Sequence, residues 1–185
     1  MVPPDWLGRL GSTLEMDPRL AGGMGKSRFP DGRLHSAGHE DLARGHVRDL
    51  GFRERDSVRF DLPGARASLS HAACLYRRSA YLEAGGMDEQ LVMYLDDIDL
   101  GRRLGLSGWR LWYAPAAVAV HSRSGEHPWV QFFCDRNRLL LAAQHHPRML
   151  AATVFHSRLA RMPQMHPVLY EIVPEALRAL ALRWG

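Results

Sequence analysis

The segment from Gly85 to His121 constrains this chain most, because it contains a turn, a helix start and a strand in close succession. Two glycines open it, aspartates follow at positions 96, 97 and 99, and an alternating apolar stretch leads to His121. Backbone N–H groups and the helix dipole favour negative charge in the first turn of a helix. The segment therefore predicts a helix over 97–107 and a strand over 109–121.

The three aspartates need a local explanation, because like charges this close repel one another. With Asp96 as the N-cap, Asp97 and Asp99 take the first and third helical positions. Asp99 also meets Arg103 one turn later, so that Asp96 and Asp99 can be structural residues. Asp97 is left as the best candidate for a carboxylate that faces a cleft, and its neighbour one turn on, Gly101, takes up no space. The alternative is an acidic helix start with no further role.

A series of motifs surrounds this segment in a fixed order. They are YRR at 76–78, GGMDE at 85–89, DDIDL at 96–100, Arg103, GW at 108–109, Pro115 and His121. This series resembles the inverting family 2 glycosyltransferases, especially rhamnosyltransferase-like members, whose pattern runs YRR, GGFDE, EDxDL, R, GW or GY, P, H. Further similar motifs lie upstream at 3–7, 17–19 and 29–34, and downstream at 136–138 and 146–147, so that the resemblance spans about residues 2–150.

The resemblance implies a GT-A fold, which is an α/β sandwich, and transfer of a sugar from a nucleotide-diphosphate sugar to an acceptor hydroxyl with inversion. It implies that Asp97 is the catalytic base, with Asp96 beside it where the family usually has glutamate. A positioned carboxylate that takes the hydroxyl proton typically contributes about 10²- to 10⁴-fold to the rate. The biological setting implied is synthesis of cell-surface polysaccharide.

Other site residues follow from the same resemblance, and most keep an alternative. His121 is implied to lie at the divalent cation, Mg²⁺ or Mn²⁺, that bridges the donor diphosphate, or else it is a polar strand end. Arg77 and Arg136 are implied to face phosphates, or else they form structural ion pairs. Asn137 and Trp109 complete the substrate-binding set.

The Asp-x-Asp motif that holds the metal in this family precedes the segment resembling 2–7, and the sequence starts at Met1. We therefore expect the C-terminal portion of a glycosyltransferase, with an incomplete GT-A domain over 1–150 and a helical tail over 151–185. The alternative function is a catalytically silent remnant that acts as a binding or oligomerisation module. Self-association, or a separate chain that supplies the donor half, would cover the exposed sheet edge.

Charge and hydropathy limit the partners. The chain has 24 basic and 20 acidic residues, and the basic ones are scattered among acids, whereas a nucleic-acid binder concentrates them in a stripe. No apolar run approaches the roughly 20 residues of a membrane-spanning helix, and no signal peptide precedes the first motif, so we expect a cytoplasmic protein. A basic amphipathic helix predicted over 174–184 would pack on protein, or else lie on the inner membrane near a lipid-linked acceptor.

Elsewhere the pattern predicts helices over 4–16, 79–84 and 129–145 and a strand over 66–76. Glycine, proline and charge are frequent from 22 to 61, which predicts mostly loop with short strands. His35 and His39 are four residues apart, but the glycines around them indicate a turn, so a zinc site there is not expected.

Overall fold

The computed structural model describes residues 1–41, 47–122 and 129–146. They form two compact units, one made of Met1–Asp41, Val47–Asp88 and 97–122 and the other of 89–96 with 129–146. The predicted tail over 151–185, with its helix over 174–184, lies outside the described residues. The domain division predicted at residue 150 therefore stays a prediction.

The first unit is built on a mixed β-sheet, which confirms the predicted α/β class. Its strands are β1 (Leu20–Arg28), β2 (Leu34–Ser36), β5 (Gly64–Arg66), β6 (Cys74–Tyr76) and β7 (Arg110–Val120). The order is β2-β1-β7-β5, with β6 also paired to β1. Only β1 and β7 run parallel; the other pairs in this sheet are antiparallel. A separate antiparallel pair joins β3 (His39–Asp41) to β4 (Val47–Asp49).

Four α-helices accompany the strands in the described part of the chain. They are α1 (Trp6–Glu15), α2 (Arg78–Glu83), α3 (Asp96–Leu106) and α4 (Trp129–His145), with short 3₁₀ turns at Val58–Phe60 and Glu89–Leu91. Each of these α-helices has a counterpart among the sequence predictions, and α4 has the predicted bounds. Helix α3 begins one residue earlier than predicted, so Asp96 is its first residue rather than its cap. Among the described residues, no helix is both long and apolar enough to cross a bilayer.

Strand β1 corrects the prediction of mostly loop over 22–61. Its sequence, LAGGMGKSR, has three glycines and no β-branched residue, yet its first eight residues are buried. The glycines permit close approach rather than flexibility: a Cβ at Gly25 would collide with the backbone of Ala117, and one at Gly22 would lie 2.7 Å from the Tyr76 ring. Strand formation here is decided by tertiary packing, which overrides low strand propensity.

The strand predicted over 66–76 is also corrected, because it is two strands separated by a turn. Strand β5 ends at Arg66 and pairs with β7, whereas β6 begins at Cys74 and pairs with β1. The intervening residues place Leu69 in the core and Ser68 against His39. The break therefore brings this turn to the residues around Asp97.

The core of the first unit lies between the sheet and helices α2 and α3. Fully buried side chains include Met24 on β1, Tyr113 on β7, and Leu100 and Leu104 on α3. Burial of each such side chain stabilises the fold by roughly 1.5–3 kcal/mol. Because Leu100 and Leu104 face inward, the start of α3 is held in a fixed position.

The only lysine of the chain, Lys26, is buried on β1 and is compensated by carboxylates. Its Nζ lies 2.9 Å from Asp56 Oδ1 and also contacts Asp61. Arg28 forms a second ion pair with Asp56. Although burial opposes it, hydrogen bonding and charge from Lys26 and Arg28 hold the pKa of Asp56 below its usual value. A buried ammonium is stable only with such partners.

Candidate active site

Asp97 lies in the first turn of α3, beside a buried histidine. Its Oδ2 is 4.0 Å from Nε2 of His39, and its Oδ1 accepts a hydrogen bond of 2.9 Å from the backbone N–H of Ile98. The Asp97 side chain is 18% exposed, so solvent or a small ligand can reach it. Asp97 is thus a fixed and accessible carboxylate, as a general base must be.

Helix α3 reaches this position through a close approach at Gly101. A Cβ on Gly101 would lie 2.6 Å from the Ala67 carbonyl oxygen and 2.9 Å from Ser68 Cα. The Ser68 hydroxyl in turn lies 2.8 Å from Nδ1 of His39. Gly101, Ser68 and His39 therefore form a continuous set of contacts beneath Asp97.

A second carboxylate, Asp49, shares the histidine. Its Oδ2 is also 4.0 Å from His39 Nε2, and its Oδ1 accepts a hydrogen bond of 2.7 Å from the Ser36 hydroxyl. Burial raises the pKa of Asp49 to about 6, and the charge of Asp97 adds to this, while His39 and Ser36 oppose it. The pKa of Asp49 thus depends on both Asp97 and His39.

The other two aspartates of the cluster have different surroundings. Asp99 is buried, and its Oδ2 lies 2.8 Å from Nε and 2.6 Å from Nη2 of Arg103, which confirms the predicted contact one turn on. Arg103 also donates to the Ala84 carbonyl, so this pair anchors α3 to the end of α2. Asp96 is half-buried. Its predicted catalytic role stays a prediction.

His121 follows β7 and lies against a second histidine. Its ring centroid is 4.5 Å from that of His35, and its backbone N–H donates to the Arg28 carbonyl. Phe29 and Phe52 pack on His35 from other sides. In the part of the chain that the structure describes, no group of three or more histidine, cysteine, aspartate or glutamate side chains could hold a metal ion. His121 as a metal ligand stays a prediction.

Two predicted substrate-binding residues of the first unit make internal contacts. Arg77 donates from Nη2 to the Leu14 carbonyl at 2.9 Å and from Nε to the Leu20 carbonyl at 3.2 Å, so its guanidinium joins the end of α1 to the start of β1. Trp109 is half-buried and packs on the core. Both arrangements are structural, and the substrate contacts of these residues stay predictions.

Arg136 and Asn137, in the second unit, hold a segment of unusual backbone. Arg136 Nη1 donates to the Gln90 carbonyl at 2.7 Å and to Asn137 Oδ1 at 2.8 Å. Asn137 is fully buried, and its Nδ2 lies 2.8 Å from each of three carbonyl oxygens, those of Leu91, Met93 and Tyr94. Since an amide has only two N–H groups, at least one must be shared. Asn137 therefore positions the chain that leads into α3.

Local sequence patterns do not select His39, Asp49 or Ser68 as site residues. The histidine spacing suggests only a zinc site with His35, which is not expected, and the neighbours of His39 around Asp97 are far apart in sequence. The β3–β4 pair brings Asp49 opposite His39, and the turn after β5 supplies Ser68. No local spacing rule detects such a grouping.

Comparison with known proteins finds similarity to rhamnosyltransferases over a limited stretch of the chain. No protein-family model matches the chain. Over 56 residues it is 46% identical to an N-acetylglucosaminyl-diphospho-decaprenol L-rhamnosyltransferase of Mycobacterium tuberculosis, a stretch covering 30% of this chain and 18% of that relative. Over 47 residues it is 47% identical to rhamnosyltransferase WbbL of Escherichia coli, covering 25% of this chain and 18% of that relative. The chain is thus rhamnosyltransferase-like over a limited region that spans less than a fifth of either relative.

Proposed function

We propose that this chain contains the acceptor side of an inverting glycosyltransferase site, with Asp97 as the general base. The observation that carries the proposal is the placement of Asp97, a partly exposed carboxylate at a helix N-terminus next to buried His39. The similarity to two rhamnosyltransferases supports sugar transfer, and rhamnosyl transfer in particular. The mixed sheet is compatible with part of a GT-A fold.

In the proposed reaction, the acceptor hydroxyl oxygen forms the new bond to the anomeric carbon as the bond to the nucleotide diphosphate breaks. The hydroxyl proton passes to the Asp97 carboxylate, and the electron pair of the broken bond leaves with the diphosphate. Attack opposite the leaving group inverts the anomeric carbon. A base at this point removes positive charge from the oxygen as the bond forms, which is where general-base catalysis acts.

The partners belong to the proposal as well. They are a nucleotide-sugar donor, a carbohydrate or lipid-linked acceptor, and Mg²⁺ or Mn²⁺ to neutralise the diphosphate. The described residues supply His35 and His121 as two neighbouring imidazoles, and further cation ligands would have to come from elsewhere. A second chain carrying the donor half, and placement at the inner membrane face, are part of the same proposal.

The experiment is calorimetric titration of UDP- and dTDP-sugars with Mg²⁺ or Mn²⁺, followed by transfer assays on the donors that bind. Asp97→Asn is expected to lower kcat by about 10²- to 10⁴-fold with little change in donor affinity. The matched control is Asp31→Asn, which changes an exposed aspartate in a turn and should have no effect. Full activity in Asp97→Asn would refute the base assignment.

A non-catalytic binding or oligomerisation module is the second candidate. It is favoured by the engagement of Arg77 and Asn137 with main-chain carbonyls, since those side chains donate inside the chain rather than toward a ligand. This candidate predicts that none of the nucleotide sugars binds measurably. A binding isotherm for one donor would exclude it.

A further inference from the structure

His39 is a buried imidazole whose place in the fold is fixed from several sides. It begins β3, where it pairs with Asp49 on β4. Its backbone N–H donates to the Ser68 carbonyl at 3.0 Å, and its own carbonyl accepts from Ala67 N–H at 3.1 Å. Only 6% of the residue is exposed. The His39 backbone is therefore held by β3 and by the turn at Ser68, and the residue is buried.

Both ring nitrogens face polar groups. Nδ1 lies 2.8 Å from the Ser68 hydroxyl, and Nε2 lies 4.0 Å from one oxygen each of Asp49 and Asp97. A serine hydroxyl can rotate either to donate or to accept, whereas carboxylates only accept when ionised. When a neutral ring carries its proton on Nε2, that proton is on the side of the two carboxylates, and Nδ1 accepts from the Ser68 hydroxyl.

Other charged groups close to His39 are engaged elsewhere. Glu40, next to it on β3, pairs with Arg48 across the strand pair. Arg66 on β5 donates from Nε to the Ala37 carbonyl at 2.7 Å. The charges that act on the ring are thus chiefly those of the two carboxylates at Nε2.

We propose that His39 is a positioning residue for Asp97: it holds the carboxylate in the orientation that takes the acceptor proton, and it couples Asp97 to Asp49. This inference rests on the proposed function. His39 itself is buried and acts through Asp97. Without the imidazole, the charge of Asp97, which already raises the pKa of Asp49, would be less compensated, and the two carboxylates would repel each other more strongly.

The first test is a titration of side-chain carboxyl carbons by NMR in the wild type, His39→Gln and Asp97→Asn. The pKa of Asp49, about 6 in the wild type, is expected to rise in His39→Gln and to fall in Asp97→Asn, because the imidazole lowers it and the Asp97 charge raises it. His145→Gln, at the end of α4, is the control and should leave it unchanged. An unchanged Asp49 midpoint in both site variants overturns the proposal, whether or not the protein transfers sugar.

The second test is the pH profile of transfer. His39→Gln is expected to lower kcat about 10- to 100-fold, as expected for a misplaced catalytic group, with donor KM near its original value. The acid limb of the profile should shift as well, which a purely structural loss would not cause. His39→Ala should lower kcat more than His39→Gln does, since glutamine retains an N–H donor. Equal profiles in wild type and His39→Gln overturn the proposal. If the wild type transfers no sugar, the proposed function is refuted instead. The NMR titration alone then tests whether His39 couples Asp97 to Asp49.

Discussion

Replacing Gly101 by alanine tests whether the close approach of α3 to the turn after β5 supports the site. A methyl group at this position points at Ser68, whose Cα would be 2.9 Å away, and at the Ala67 carbonyl oxygen, 2.6 Å away. Ordinary contact between carbon atoms begins at about 3.5 Å, so the helix or the turn must move by roughly 0.6 Å or more. Neither neighbour is a flexible side-chain end.

Two effects of opposite sign set the magnitude. Alanine is favoured over glycine within a helix by up to about 1 kcal/mol. Overpacking against unyielding atoms costs typically about 1–3 kcal/mol, and here backbone atoms are struck, so that we expect the upper part of that range. The net effect should be a loss of about 1–2 kcal/mol. For a chain of this size the melting temperature should fall by about 2–8 °C.

The matched control is Gly105→Ala on the same helix, where nothing lies within 4 Å of the added methyl group. Gly105 is near the end of α3, and the change should stabilise by about 0.5 kcal/mol. Thermal unfolding measures both variants, and the imidazole NMR signals of His39 should shift in Gly101→Ala alone. If Gly101→Ala is as stable as Gly105→Ala, α3 does not pack on the turn and the account of the site is wrong.

Three further predictions concern buried polar groups. Asn137→Asp should lower the unfolding free energy by about 2–4 kcal/mol, because it sets a carboxylate against three carbonyl oxygens. The loss should exceed that of Asn137→Ala, and equal unfolding free energies of the two variants in urea titrations would contradict this. Lys26→Met should cost about 2–3 kcal/mol at pH 7. Since the pKa of Asp56 is lowered in the fold, its ion pair with Lys26 stabilises the protein above about pH 4 and less in more acidic solution. Urea unfolding at about pH 3 should therefore show a smaller loss of unfolding free energy for Lys26→Met. Because the pKa of Asp49 is raised to about 6, the unfolding free energy of the wild type should fall as the pH rises from about 4 to 6. The fall should be at most about 3 kcal/mol, and solvent screening reduces it because the Asp49 side chain is 32% exposed. Asp49→Asn should remove this dependence in melting curves.

The helices could be predicted from sequence because their signal is local. Apolar residues at helical spacing identify α1 and α4, and the acidic first turn identifies α3. The alternation of residues 116–121 predicts strand β7. In that stretch the buried residues are Ala117 and Ala119, whereas Val118 and Val120 are only half-buried. Strand β1 could not be found, since three glycines look like a loop until Ala117 and Tyr76 pack against them.

The site divides in the same way. The pair of Asp99 with Arg103 was predictable, because residues four apart on a helix always lie close. Asp97 could be selected by elimination within its own turn. Its relation to His39 was not predictable, because that contact depends on how the β3–β4 pair meets the start of α3. Sequence spacing alone gives no measure of such distances.

The backbone before α3 explains what Arg136 and Asn137 do within the chain, whereas their predicted substrate contacts stay predictions. Val92, Tyr94 and Leu95 have φ angles of 61°, 66° and 63°, in the left-handed region that non-glycine residues avoid. At about 1–2 kcal/mol each, the three together cost roughly 3–6 kcal/mol. The buried Asn137 amide offsets part of this by donating to the carbonyls of Leu91, Met93 and Tyr94, and Arg136 fixes the amide orientation through Oδ1. Strain of this size persists only where surrounding contacts enforce it, so these two residues serve the shape of the segment that ends at Asp96.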